Sequence, residues 1–146
     1  MGYKMKNENV VFPTIILKNK KDYLVYVPDL ELFTEGNSLA NAICMARDII
    51  GLHCMDLEDD KKKIPIASSY EKAYAICKKK HPEYFNGNIT MIDVDVALYR
   101  KKLSEKTVRR NVSIPEYIND AANKAGINVS KILTNALAKQ LKIACL

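Results

Sequence analysis

The sequence lacks several features that would place it in a specialised class of protein. None of its four cysteines (Cys44, Cys54, Cys77 and Cys145) pairs with another at the spacing of a metal finger. It has no internal repeat and no low-complexity tract, and no apolar run approaches the roughly 18 residues that a membrane-spanning helix needs. The first nine residues are largely polar, without the apolar stretch of a secretory signal. We therefore expect a cytoplasmic protein that does not associate with a membrane and binds no metal or cofactor.

The composition is that of a folded protein whose charge is unevenly distributed. The chain has 146 residues, enough for one ordinary domain or two small ones, and 48% of them are hydrophobic. Its net charge is +6. From Glu105 onward there are seven basic and three acidic residues, whereas the longer part before it holds 16 and 14. The C-terminal excess of positive charge permits nucleic-acid binding there.

The front part of the chain predicts a small antiparallel sheet with packed helices, an α+β fold. Val10–Leu17 and Tyr23–Val27 are apolar, β-branched runs that indicate a hairpin, and Leu32–Glu35 indicates a third short strand. Ser38 is typical of a helix cap, and apolar residues follow it at helical spacing. Three further elements are predicted: a helix at Tyr70–Lys80, a strand at Ile89–Val96 and a helix at Ala97–Leu103.

The C-terminal part predicts one strand followed by two short helices. The strand, Val108–Pro115, alternates polar and apolar residues and stops at a proline that suits the first position of a helix. Gly126 is expected to end that helix, and Ser130 is expected to cap the next one. A short polar linker at 104–106 separates this part from the front part.

A module of about 40 residues usually folds only with a metal, disulfides or a partner. We therefore predict that two chains pair their strands antiparallel, which buries the apolar side of the ribbon. The polar side would lie in the major groove of DNA and read base edges, while backbone N–H groups at the start of the second helix hold a phosphate. The residues concerned are Val108, Val112 and Ile114 in the dimer core, Arg109, Asn111 and Ser113 at the bases, and Val129, Ser130 and Lys131 at the phosphate.

The C-terminal motifs R-R-N-V-S-I-P, K-A-G-I-N and V-S-K-I-L resemble those of the ribbon-helix-helix DNA-binding family. The likeness covers Lys106 to about Ile143. Arg110 departs from the pattern, because alternation points it to the inward side, where an apolar residue is more usual. Its stem can be buried while its charged head stays in solvent.

The front part of the chain contains three further motifs, Y-L-V-Y-V-P-D-L-E-L-F-T-E-G-N-S-L-A-N-A, I-P-I-A-S and I-D-V-D-V-A-L-Y-R-K-K. Together with the C-terminal motifs, these are similar to the HicB antitoxin family. The resemblance implies a non-catalytic, partial RNase H-like domain at residues 1–104 that binds HicA, a toxin that cleaves mRNA. It also implies a domain at residues 105–146 that binds operator DNA and represses the operon. The chain would then be a homodimeric or larger antitoxin and autorepressor, not an enzyme.

Two other functions stay open on the sequence alone. A ribbon-helix-helix transcription regulator with a front domain that senses a small molecule would share the C-terminal motifs. An RNase H-like nuclease would need clustered acids, and Asp29, Asp93 and Asp95 are the candidates. However, Asp29 lies in a predicted turn, and the other two alternate with apolar residues on one strand. For a basic toxin, charge complementarity favours Asp29, Glu31 and Glu35 as contacts.

Overall fold

A computed structural model describes residues 9–104 and 107–141. The chain divides after Ser104 into two compact units, and each is described by itself. The elements of the N-terminal unit are β1 (Asn9–Asn19), β2 (Asp22–Val27), β3 (Leu32–Gly36), α1 (Leu39–Asp59), α2 (Tyr70–Lys80), β4 (Asn88–Asp95) and α3 (Val96–Leu103), with a 3₁₀ turn at Pro82–Tyr84. The four strands form one antiparallel sheet in the order β3-β2-β1-β4.

The strand register shows why the apolar runs became strands. Ile16 lies opposite Val25 across β1 and β2, and Phe12 lies opposite Ile92 across β1 and β4. Cross-strand pairs of this kind are the unit that stabilises a sheet. The α+β fold, the hairpin and the third strand predicted from the sequence are confirmed, with ends that shift by one or two residues.

Both faces of the sheet are covered, which explains why the strands are apolar on both sides. On one face, α1 packs on the sheet through Ala42, Ala46 and Ile50, which follow at four-residue spacing, and α3 packs through Val96 and Tyr99. On the other face, Ile15, Tyr26 and Cys77 form a second cluster under α2. Full burial of a large apolar side chain stabilises the fold by about 1.5–3 kcal/mol. The N-terminal unit therefore has a core of its own.

The segment between α1 and α2 passes from one face of the sheet to the other and is held by a carboxylate. Asp29, in the turn between β2 and β3, accepts hydrogen bonds from the N–H of Ser68 at 2.8 Å and from its hydroxyl at 2.5 Å. The next residue, Ser69, caps α2 by accepting from the N–H of Lys72. One aspartate therefore fixes both the turn and the start of the second helix.

The described part of the C-terminal unit contains α4 (Glu116–Ala125) and α5 (Val129–Gln140). Gly126 ends α4 in the left-handed conformation with φ 64°, as the sequence predicts. The prediction that Ser130 caps α5 is wrong. Asn128 is the cap, and its side-chain oxygen accepts from the N–H of Lys131 at 3.0 Å. Asn128 directly precedes the helix and reaches its third residue, whereas Ser130 is already inside the first turn.

Residues 107–115 have no regular secondary structure in the single chain. The strand predicted at Val108–Pro115 needs a second copy to pair with, so its formation stays a prediction. In α4 the first helical residue is Glu116, one position later than the sequence indicates. Among the described helices, none combines the length and apolar character needed to cross a membrane.

Candidate functional site

The C-terminal unit exposes its apolar residues. No residue between 107 and 141 is buried in the single chain. The three residues predicted for the dimer core, Val108, Val112 and Ile114, are 85%, 53% and 44% exposed. The two helices and the residues that adjoin them add further exposed apolar side chains, namely Tyr117, Ile118, Ile127, Val129, Ile132, Leu137 and Leu141. An exposed apolar surface of this extent marks an interaction site.

The three residues predicted to read bases are also exposed. Arg109, Asn111 and Ser113 lie in the segment before α4, and no hydrogen bond or ion pair within the described part of the chain involves them. Their donors and acceptors are therefore available to an external partner. Arg and Asn side chains are those that make two-bond contacts with guanine and adenine.

The start of α5 has two backbone amides that donate no hydrogen bond within the helix. The predicted third donor, the N–H of Lys131, already donates to the side chain of Asn128. Val129 and Ser130 occupy the first two helical positions, whose N–H groups have no acceptor inside a helix. The exposed side chain of Lys131 adds a positive charge next to these amides.

The three acids predicted to contact a toxin have different surroundings in the N-terminal unit. Both carboxylate oxygens of Asp29 are occupied by Ser68. Glu31 accepts from the hydroxyl of Tyr26 at 2.7 Å, and its oxygens lie 3.4 Å from Nζ of Lys80 and 3.3 Å from Nε2 of His81. The remaining acid, Glu35, is exposed and takes part in no ion pair within the described residues.

The charge state of Glu31 follows from these contacts. Partial burial acts to raise the pKa of Glu31, but the hydrogen bonds from Tyr26, Lys80 and His81 outweigh it and lower this pKa. Conversely, burial and the bond to Glu31 raise the pKa of the Tyr26 hydroxyl. Glu31 is thus an ionised carboxylate that holds β2 to the end of α2.

Four aromatic rings meet beside this carboxylate. Phe33 on β3 stacks on Tyr26 on β2, with ring centroids 4.9 Å apart and an interplanar angle of 13°. His81 meets Phe33 edge-on at 4.8 Å, and Tyr84 lies 5.9 Å from Phe33. Because β3 is at the edge of the sheet, Phe33 remains 41% exposed.

The three acids that could have served a nuclease have structural partners. Asp93 pairs with Arg47 at 3.3 Å, and Asp95 caps α3 by accepting from the N–H of Leu98 at 3.0 Å. Asp29 is held by Ser68. Within residues 9–104 and 107–141, no three His, Cys, Asp or Glu side chains are grouped closely enough to hold a metal ion. The geometry of these three acids therefore does not support the nuclease alternative.

A family model matches most of the chain. Residues 12–138 match the family described as HicB-like antitoxin of bacterial toxin-antitoxin system. This chain belongs to the HicB-like antitoxin family. A relative of the antitoxin is an uncharacterized 14.9 kDa protein from the rep-hol intergenic region of Haemophilus phage HP1 (strain HP1c1). The two are 27% identical over 107 residues, which are 73% of this chain and 74% of the phage protein.

Solved structures resemble this HicB-like antitoxin over most of its length. One is a chain of a toxin-antitoxin complex from Streptococcus pneumoniae, with a TM-score of 0.53 and 21% identity, covering 90% of this chain and 99% of that one. Another is the antitoxin HicB of Burkholderia pseudomallei, with a TM-score of 0.48 and 24% identity, covering 92% and 98%. At this identity, the first likeness supports the fold alone.

The sequence did not reveal the aromatic cluster of this HicB-like antitoxin. The hairpin register places Tyr26 opposite Phe33, so that pair follows once β2 and β3 are recognised. His81 and Tyr84 come from a distant segment, and a histidine before a proline in a polar stretch predicts only a surface residue. Their part in the cluster depends on how α2 packs, which no local pattern encodes.

Proposed function

We propose that this antitoxin has two activities, one in each unit. The N-terminal unit neutralises a HicA-type mRNA-cleaving toxin by direct binding. The C-terminal unit forms a dimeric ribbon-helix-helix module that binds operator DNA and represses the antitoxin's own operon. Family membership supports the first activity, and the exposed C-terminal surface supports the second. Both take place in the cytoplasm, and neither requires catalysis, a metal or a cofactor from this chain.

The observation that carries the second activity is the uncovered apolar side of the C-terminal unit. Two strands at 108–115 from two chains would cover Val108, Val112 and Ile114, which are each at least 44% exposed in one chain. Antiparallel pairing would also satisfy the backbone groups of this segment. A homodimer is thus the arrangement that supplies the missing core.

The same pairing places the recognition residues on the outside of the ribbon. A two-stranded ribbon fits the major groove, where Arg109, Asn111 and Ser113 would face base edges. The amides of Val129 and Ser130 would hold a phosphate and fix the register of the ribbon on DNA. Because symmetric proteins bind symmetric operators, we expect pairs of ribbons on paired half-sites and thus a higher oligomer.

We assign the first activity to the N-terminal unit alone. Its core on both faces of the sheet supports this assignment, because a unit with its own core can fold without the C-terminal unit. Asp29 and Glu31 are committed to Ser68, Tyr26 and Lys80, and we assign them to holding that surface in shape. Glu35 is the predicted contact that remains available.

Co-expression tests the proposal as a whole. The chain is produced with the protein encoded by the adjacent open reading frame, and the purified material is mixed with DNA from upstream of the operon. Copurification of the two proteins together with a specific mobility shift is the expected result. A chain that purifies alone and binds the upstream DNA no better than scrambled DNA contradicts both halves of the proposal.

Base reading predicts specific effects for two variants. Arg109→Ala and Asn111→Ala should each weaken operator binding by about 1–3 kcal/mol, because each removes a side chain that makes two hydrogen bonds to one base. Sequence preference at that base position should relax. The measurement is the ratio of affinities for operator and scrambled DNA. Toxin binding should match that of the parent.

Arg110→Ala is the matched control for these variants. It removes the same charge from the same segment as Arg109→Ala does, but alternation would place Arg110 on the other side of the strand. This substitution should lower affinity for both DNAs alike, without changing their ratio. If Arg109→Ala and Asn111→Ala also leave the ratio unchanged, the ribbon does not read bases through these residues.

A further inference from the structure

The α2 side of edge strand β3 presents an aromatic ring together with a carboxylate that has no ion-pair partner in residues 9–104 and 107–141. Side chains two apart on a strand share a face, so Phe33 and Glu35 point to the same side of the sheet. The contact between Phe33 and Tyr26 shows that this is the side covered by α2. At the edge of the sheet α2 leaves both residues exposed.

The ring of Phe33 is rigidly supported. It is stacked on Tyr26 and met edge-on by His81, while the hydroxyl of Tyr26 is fixed by its 2.7 Å hydrogen bond to Glu31. Little side-chain freedom would therefore be lost on binding, which is the condition under which an aromatic anchor contributes most affinity. The exposed face of Phe33 is a preformed stacking platform.

Three carboxylates surround this platform. Glu31 and Glu83 both lie 3.3 Å from His81, and Glu83 remains largely exposed. Glu83 directly precedes Tyr84 in the chain, and Glu35 lies two residues from Phe33 on the same face of β3. Burial raises the pKa of Tyr84, and the negative charges of Glu83 and Glu35 raise it further. Lys80 and, when protonated, His81 offset part of this charge, whereas no cation in the described part of the chain pairs with Glu35.

We propose that this aromatic–acidic patch, formed by Phe33, Glu35 and Glu83, binds the basic RNA-contacting surface of the toxin. The inference rests on the proposed function and names the surface that carries it. A protein that cleaves mRNA needs basic side chains for phosphates and apolar or cationic groups that stack on bases. An exposed ring flanked by carboxylates offers the same two chemistries in place of RNA.

The patch is tested by two variants of the full chain, Phe33→Ala and Glu35→Lys. Affinity for the protein encoded by the adjacent open reading frame is measured by titration calorimetry at low and high salt. Each variant should weaken binding by at least about tenfold, as removal of a central anchor or reversal of a complementary charge does. The effect of Glu35→Lys should shrink as salt rises, whereas the effect of Phe33→Ala should not.

The matched controls are Leu52→Ala and Asp56→Lys on the exposed side of α1, on the opposite face of the sheet. These remove an exposed apolar side chain and reverse an exposed charge, and they should bind within about twofold of the parent. Thermal unfolding confirms that all four variants are folded. If the parent binds and the patch variants bind as the controls do, the patch is not the toxin surface. Failure of the parent itself to bind overturns the proposed function, and this inference with it.

Discussion

Removal of everything after Ser104 is expected to abolish operator binding while the remaining chain still neutralises the toxin. The truncated protein keeps both clusters of the N-terminal core and the patch around Phe33. It lacks Arg109 and Asn111, and it lacks the exposed apolar side through which two chains would pair. It should therefore be monomeric, with no detectable preference for upstream DNA.

Size-exclusion chromatography, mobility shift and toxin titration on this truncation check the three consequences. A monomer has no paired binding sites, and this loss of avidity can lower the apparent affinity for the toxin. The titration is therefore read at toxin concentrations well above the dissociation constant. A truncated chain that still binds upstream DNA specifically would place DNA recognition in the N-terminal unit. A folded truncation that cannot neutralise the toxin at saturation would show that the C-terminal unit forms part of the toxin site.

Gly36→Ala is expected to destabilise the N-terminal unit by about 3 kcal/mol or more, near the upper limit for overpacking. A Cβ at Gly36 would lie 2.4 Å from the backbone nitrogen of Ala42 and 2.6 Å from its Cα. These are backbone atoms of the first turns of α1, so no side chain can move aside. To relieve this clash, α1 would have to move away from β3, the strand that carries Phe33 and Glu35.

Thermal unfolding of the full chain measures this effect, and the midpoint should fall by roughly 10 °C or more. Asn37→Ala is the control, because the neighbouring residue is exposed. Toxin neutralisation should fail at a lower temperature than in the parent, since the patch depends on this packing. A Gly36→Ala midpoint equal to that of Asn37→Ala would contradict the close approach of α1 and β3.

Local patterns predicted most of the N-terminal unit because its elements follow simple periodicities. Alternation and β-branched residues marked β1, β2 and β4, and Ser38 capped α1 as expected by accepting from the N–H of Asn41 at 3.0 Å. The cap of α5 was misplaced because Ser130 and Asn128 are both good capping residues. Only the position of the first helical turn decides between them.

The residues of the candidate sites also differ in whether a local pattern could predict them. Arg109, Asn111 and Ser113 follow from one local alternation, so the sequence could propose them directly. The roles of Asp29 and Glu31 could not be predicted, because their partners Ser68 and His81 lie 39 and 50 residues further along the chain. By charge alone the three acids are equivalent. In the structure, long-range contacts hold the carboxylates of Asp29 and Glu31, and Glu35 remains available.

The most direct test of the central claim is the RNase activity of the toxin during titration with this antitoxin. The protein encoded by the adjacent open reading frame, which we expect to be the toxin, is incubated with a labelled mRNA, and cleavage is followed as the full chain is added. Cleavage should fall in proportion to the antitoxin added and stop once every toxin molecule is bound. Undiminished cleavage in the presence of excess folded antitoxin would contradict the claim that this chain neutralises the toxin by binding it.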